Sequence, residues 1–262
     1  MSYRVDTVLP ADTVEFCPYP ELTKIFAVGT YKLEEEIIDS DGHQLRTPRR
    51  WGRCLLFEVD YDDDVDQWLS EENSGLVVTD TWIGHEFEPW VTAWNRWDRD
   101  VLYTGGDDCK LKAWDYRLGY QTPIFENARF DGGVTAIQSN PHAEHVLAVG
   151  SYDAIVRIFD ARRFSNPVTQ VAVGGGAWRV KWHHDPVKKD DLLVACMHDG
   201  FKVVTFDGIR ISEINQGVIS FRFDEHNSLA YGVDWSYASS TKNGSLVGSC
   251  SFYDHELRLW RI

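Results

Sequence analysis

Three observations predict an all-β fold built from one repeated module. A strand–turn–strand pattern recurs at a near-constant interval, glycines flank many short apolar runs, and tryptophan is over-used. The 262-residue chain holds 20 glycines and 11 tryptophans, with 43% hydrophobic residues. That balance suits numerous strands joined by tight turns. The length suffices for a sizeable core.

The repeat is anchored on an acidic residue. The segments GGDDCKLKAWD, GSYDAIVRIFD, CMHDGFKVVTF and SFYDHELRLWR carry Asp108, Asp153, Asp199 and Asp254, spaced by 45, 46 and 55 residues. This is close to the ~40–45-residue period of a WD-type propeller blade. The wider last interval holds the polar loop YASSTKNGSL. Each Asp separates two apolar strands, VLYTGG from KLKAW, VLAVGS from IVRIF, LLVACM from FKVVTF and LVGSCS from LRLW. A further strand precedes each pair: WVTAWNRW, GVTAIQSN, AWRVKWHH and YGVDWSY.

The order is therefore strand a, loop, strand b, tight turn, strand c, with the turn Asp expected to accept backbone hydrogen bonds. His85 stands where WD repeats send an imidazole to the turn Asp of the same blade, here Asp108, and Trp114 is expected to close that network. All four turn Asp residues read as structural.

A fifth, degenerate copy comes first. DTVEFCPYP, IFAVGTYKL and GRCLLFEVD supply its strands, and EEEIIDSDGHQLRTPRRW widens its b–c turn. The prediction is one WD40-type β-propeller of about five blades over residues 1–262. Its repeats lie at about 11–60, 85–116, 133–162, 176–206 and 230–262. The last copy ends at RLWRI without an outer strand, and an unpaired edge is a liability. Residues 1–10, with the alternating YRVDTVL, are expected to supply that strand and close the ring. Residues 61–75 form an acidic linker.

The net charge is −15, from 41 acidic and 26 basic residues. Nonspecific nucleic-acid binding needs a basic footprint and is disfavoured; solubility and cationic partners are favoured. The opening MSYRVDTVLPADTVEF lacks the apolar run of a signal peptide, and no run reaches membrane-spanning length. Cys17, Cys54, Cys109, Cys196 and Cys250 are scattered and never spaced as CxxC, as expected of reduced thiols in the cytoplasm.

The ordered set ADTVEFCP, AVGTY, GHEFEPWVTAWNRW, YTGGDDCKLKAWD, SNPHAEHVLAVGSYD, GGGAWRVKWHHDP, ACMHDGFKV, YGVDWS and CSFYDHELRLW closely resembles the WD-repeat diphthine methylesterase family, also called diphthine methyltransferase. The match covers about residues 5–60 and 76–262, and ACMHDGF and CSFYDH are its most specific parts. Family propellers look seven-bladed, and roughly two blades are missing here after residue 60. The resemblance implies hydrolysis of one methyl ester during diphthamide synthesis. The substrate would be an over-methylated histidine of translation elongation factor 2, which bears a trimethylammonio group and that ester. No cofactor is implied.

Motifs alone do not identify an enzyme. The chain has no GxSxG, HExxH or GxxxxGK[ST] pattern. Ester hydrolysis needs an activated water, oxyanion stabilisation and a proton for the leaving alkoxide. On a propeller these groups converge where the b–c turns and d–a loops meet. The residues just before each turn Asp, namely Asp107, Tyr152, His198 and Tyr253, are the catalytic candidates. His198 is the expected base, Asp107 its orienting acid or a contact to the cation, and the tyrosines oxyanion donors or stacking partners.

Glu86, Glu88, Trp90 and Trp178 are expected to cradle the cation, because aromatic faces and carboxylates attract quaternary ammonium. Ser151 is a conceivable nucleophile, although a structural hydroxyl is common there. The run Gly174–Gly175–Gly176 is a candidate anion nest, or a plain inter-blade turn. His142, His145, His183 and His184 fall on the opposite face as solvated residues, and no metal site is expected. The competing reading is a noncatalytic WD-repeat scaffold that binds a protein partner, since fold alone does not specify chemistry.

Overall fold

The computed structural model describes residues 11–16, 25–33, 37–38, 44–46, 50–59 and 76–262, apart from 213, 215, 238–243 and 255. The expected closing strand at 1–10 and the acidic linker lie outside these residues.

Strands β1 (Ala11–Phe16), β2 (Ile25–Leu33), β5 (Arg50–Val59) and β6 (Leu76–Trp82) make sheet one, all antiparallel in that order. The widened b–c turn carries a small ribbon of β3 (Ile37–Ile38) and β4 (Gln44–Arg46). Sheet two contains β7 (Pro89–Trp94), β8 (Val101–Gly106), β9 (Leu111–Asp115) and β10 (Phe125–Asn127). Sheet three contains β11 (Val134–Ser139), β12 (Val146–Ser151), β13 (Ile155–Asp160) and β14 (Thr169–Ala172). Sheet four follows with β15 (Arg179–Trp182), β16 (Asp191–Ala195), β17 (Phe201–Thr205) and β18 (Val218–Phe223). Sheet five has three strands, β19 (Ala230–Trp235), β20 (Leu246–Ser251) and β21 (Leu257–Arg261).

Besides the β3–β4 ribbon, five antiparallel sheets are thus present among the described residues, and sheets two to five are each made of consecutive strands, as an all-β propeller repeat requires. Sheet one takes its outer strand from beyond residues 61–75.

Alternation places apolar side chains on both faces of the inner strands of sheets two, three and four, because each of these is covered on two sides. One hydrophobic cluster fills each successive interface. Ala27, Cys54 and Leu56 of sheet one meet Trp94, Leu102 and Trp114 of sheet two. Tyr103 and Leu111 of sheet two meet Leu147, Val149 and Phe159 of sheet three. Ala148, Val156 and Ile158 of sheet three meet Val180, Trp182 and Leu192 of sheet four. Leu193, Phe201 and Val203 then meet Val233, Val247 and Trp260 of sheet five.

Polar ties cross the same interfaces. Thr135 Oγ1 donates to the Ala177 carbonyl at 2.6 Å, Trp97 Nε1 to Asn140 O at 2.9 Å and Trp235 Nε1 to Lys181 O at 2.9 Å.

Among the described residues, no corresponding cluster joins sheet five to sheet one. Leu257 and Leu259 of β21 are 72% and 69% exposed, whereas the equivalent Val156 and Ile158 of sheet three are fully buried. Of the four cysteines described, Cys54, Cys109, Cys196 and Cys250 are all free thiols. Burial pushes Cys54 and Cys196 up to about 12, so neither is a nucleophile at neutral pH.

Candidate functional site

The turn Asp residues stiffen the face on which the candidate residues sit. In sheet two, Trp114 Nε1 donates to Thr104 Oγ1 at 2.8 Å, His85 Nε2 bonds the same hydroxyl at 2.8 Å, and His85 Nδ1 meets Asp108 Oδ1 at 2.8 Å. Burial holds His85 below the usual imidazole range, against the pull of Asp108. Burial also opposes ionisation of Asp108, but the bond from His85 leaves its carboxyl below the usual range.

Other sheets reach the same end with different partners. Arg157 binds Asp153 through both nitrogens, at 3.1 and 2.8 Å. The fully buried Lys202 bonds Asp199 and the Val173 carbonyl, and Arg222 adds a 2.8 Å contact to Asp199. In sheet five, Trp260 donates to Ser249 at 3.0 Å, His226 bonds Ser249 and Ser251 at 2.8 and 2.7 Å, and Ser251 bonds Asp254.

His226 is therefore the counterpart of His85, which sequence reasoning missed. Its distance along the chain to Asp254 exceeds that from His85 to Asp108, and a serine is interposed. His226, Asp254 and Glu256 bring potential metal-ligating atoms within 4.8 Å of one another. Both imidazole nitrogens are already held by serines, so the cluster is a turn network.

Strand a carries a recurrent bulge. The ladder skips one residue between Pro89 and Val91, between Val134 and Ala136, and between Ala230 and Gly232. The skipped residues are Trp90, Thr135 and Tyr231. A bulge re-aims the extra side chain away from the pleat, and these positions begin the innermost strands.

The result is a continuous aromatic arc. Trp90 lies 6.2 Å from Tyr152 and 5.6 Å from Trp178, between ring centroids. Trp178 lies 5.0 Å from Tyr231, Tyr231 4.8 Å from Phe252, and Phe252 4.9 Å from Tyr253. Gly133 makes room for it, because a Cβ there would sit 2.4 Å from the Trp90 ring and 3.0 Å from Asp107 Cα. At its far end the arc meets an open groove of about 740 Å³ between the turns of sheets four and five, lined by His198, Asp199, Arg222, Asp224 and Tyr253 among others.

Four predicted residues, Trp90, Tyr152, Trp178 and Tyr253, thus fall on one arc, and His198 shares the groove with Tyr253. Asp107 sits beside Gly133 and Trp90, and its N–H donates to the Glu88 carbonyl at 2.8 Å. The buried Glu88 therefore flanks the Trp90 end. Glu86 points elsewhere, to Lys110 Nζ at 2.9 Å.

Asp107 and His198 belong to sheets two and four and make no hydrogen bond or ion pair to each other. The exposed His198 ring has no such partner among the described residues. Phe252, Tyr231 and Arg179 were not foreseen. The bulge that aligns Tyr231 with Trp90 shows only in the register of paired strands.

One sequence reading needs correction, that the opposite-face histidines are simply solvated. His183 is not solvated but fully buried, with Nε2 2.9 Å from Ser245 Oγ and Nδ1 accepting from Asp185 N at 2.9 Å. Burial lowers its pKa to about 4. His142 is likewise engaged, through Nε2, with the His183 carbonyl at 3.0 Å. The glycine run is packed under a turn: a Cβ on Gly174 would lie 1.9 Å from Asp199 Oδ2, and one on Gly175 2.0 Å from the Cys196 carbonyl. Ser151 is buried and donates to Gly132 O at 2.9 Å, which is the structural role.

Comparison with known proteins agrees with the repeat. The model of the WD domain, G-beta repeat, matches residues 123–160. Diphthine methyltransferase of Mus musculus is 43% identical over 169 residues, 64% of this chain and 35% of that protein. The Dictyostelium discoideum homolog is 37% identical over 204 residues, covering 73% and 55%. The Schizosaccharomyces pombe protein is 30% identical over 217 residues, covering 79% and 64%. The chain thus spans about half the length of the curated relatives it matches. A chain of the mitotic checkpoint complex superposes with TM-score 0.64 at 16% identity, over 98% of this chain and 76% of that one, a likeness of fold alone. With five repeated sheets and this level of identity to relatives of one name, the chain belongs to the WD-repeat diphthine methyltransferase family.

Proposed function

We propose that the protein acts in diphthamide biosynthesis as a carboxylic ester hydrolase. Its substrate is methylated diphthine on translation elongation factor 2, in the cytoplasm, and its products are diphthine and methanol. The observation that carries this reading is the aromatic arc ending in a groove that holds a solvent-accessible imidazole. A quaternary ammonium is bound by ring faces, and Trp90, Tyr152, Phe252 and Tyr253 present them. Trp178 is the floor of the arc, only 8% exposed.

In the groove, His198 takes a proton from water as its oxygen adds to the ester carbonyl carbon. The Tyr253 hydroxyl donates to the oxyanion. Collapse breaks the acyl C–O bond, and the methoxy group leaves with the proton from His198, giving methanol and a carboxylic acid that ionises. A base needs geometry before pKa. His198 gains its position from the turn held by Asp199, and no acid among the described residues bonds its ring.

The second reading, a noncatalytic WD scaffold for a protein partner, is favoured by the separation of Asp107 from His198. The two readings part on one experiment. Purified protein is incubated with elongation factor 2 carrying methylated diphthine, and the modified histidine is weighed. Loss of one methylene equivalent supports the hydrolase; binding with no mass change supports the scaffold.

A further inference from the structure

Arg179 occupies the centre of the arc without a carboxylate. In a chain of net charge −15, Arg117, Arg157, Arg162, Arg222 and Arg258 all form ion pairs. Arg179 forms none among the described residues. Its Nη1 donates to the Trp178 carbonyl at 2.8 Å, and its guanidinium lies 5.5 Å from the Trp178 ring centroid and 6.0 Å from that of Tyr231. It is half-buried at the start of β15, the innermost strand of sheet four.

A guanidinium carries five N–H donors in a planar fork, and one is spent on the backbone. Stacking on two rings fixes the plane of the fork and limits its entropy loss on binding. The group that fits such a fork is a carboxylate. Phosphate polymers are disfavoured by the surrounding negative charge.

We propose that Arg179 is a carboxylate receptor at the arc's centre, so that the site binds a betaine-type zwitterion. The carboxylate lies on Arg179 and the quaternary ammonium on the ring faces that Arg179 leaves open. The guanidinium already covers Trp178 and Tyr231, and it repels a second cation from them. The ammonium is therefore directed to Trp90 and Tyr152 on one side or to Phe252 and Tyr253 on the other. This deepens the proposed reading, on which it rests for the ligand's identity: the ester hydrolysis releases a carboxylate on the same side chain as a trimethylammonio group. Arg179 is thus a product-binding and substrate-orienting residue.

The test uses three small probes on the whole chain: trimethylglycine, its methyl ester and tetramethylammonium. Binding is followed by saturation-transfer NMR on the probe methyl protons. The wild-type protein is expected to prefer trimethylglycine over both others by about tenfold, the ratio one charge-assisted hydrogen bond supplies. Arg179→Gln should abolish the preference and strengthen tetramethylammonium binding, because the cation covering Trp178 and Tyr231 is gone, while Arg179→Lys should keep part of the preference. Equal binding of the three probes by wild type, no binding of any, or an unaltered preference in Arg179→Gln each overturns the proposal. The wild-type comparison needs no variant to fold. None of these readouts involves turnover, so a protein that selects the carboxylate yet leaves the ester intact fails the hydrolase reading alone.

Discussion

The rings of Trp90 and Trp178 lie 5.6 Å apart although they start from sheets two and four. They meet because sheet three puts a small, buried residue, Thr135, at the equivalent bulge and ties it to Ala177 at 2.6 Å. The contact therefore depends on what sheet three leaves out. Gly133→Ala would drive a methyl into the Trp90 ring and the Asp107 backbone. Overpacking of this kind costs about 1–3 kcal/mol. A drop in chemical-denaturation stability together with weaker binding of tetramethylammonium is expected. Stability and binding both at wild-type level would show that the ring does not occupy this slot.

Acid sensitivity follows from His183. Its folded pKa, lowered by burial from 6.5 to about 4, means that the unfolded chain takes up a proton before the folded one does. The stabilisation is complete above pH 6.5 and is lost as pH falls from 6.5 towards 4. His85 and His226, both lowered by burial, act in the same direction. The melting temperature measured across this window should fall with acidification, and less steeply in His183→Asn. An identical slope in the variant would remove His183 from the account.

His198 and Asp254 separate chemistry from construction. His198→Ala removes an exposed ring with no bond among the described residues, so turnover should vanish with the melting temperature unchanged. Asp254→Ala breaks the link to Ser251 and His226 and should lower the melting temperature. The pair of measurements fails the assignment if the first variant turns over normally or the second melts like wild type.

Sheets three and five offer a matched comparison. Ile158 and Leu259 are equivalent positions, one fully buried and one 69% exposed. Ile158→Asp buries an unpaired charge and should cost on the order of 4–5 kcal/mol, whereas Leu259→Asp should stay within about 0.5 kcal/mol. A large loss in Leu259→Asp would mean that another sheet covers this face in solution.

Much of the fold was legible because turn chemistry and strand alternation are local. Asp108, Asp153, Asp199 and Asp254 announced the turns, and His85 with Trp114 announced the tie between strands. His226 was hidden because its partner is reached through Ser251, which no spacing rule specifies. The aromatic arc was half visible: Trp90, Trp178, Tyr152 and Tyr253 were selected one at a time by position. Their contact arises from bulges and from the smallness of Thr135 and Gly133, properties of register and packing. His183 was misread because a loop position was taken for solvent exposure, whereas Ser245 and the ring of Trp235, 4.4 Å away, enclose it.

Oxygen-18 water tests the central claim, hydrolysis at a groove beside the aromatic arc, most directly. Methylated diphthine on elongation factor 2 is incubated with the protein in labelled water, and both products are weighed. The account predicts one heavy oxygen in the new carboxylate and none in the methanol, because water adds to the acyl carbon. Label in the methanol, or release of the methyl group without any incorporation into the carboxylate, would contradict it.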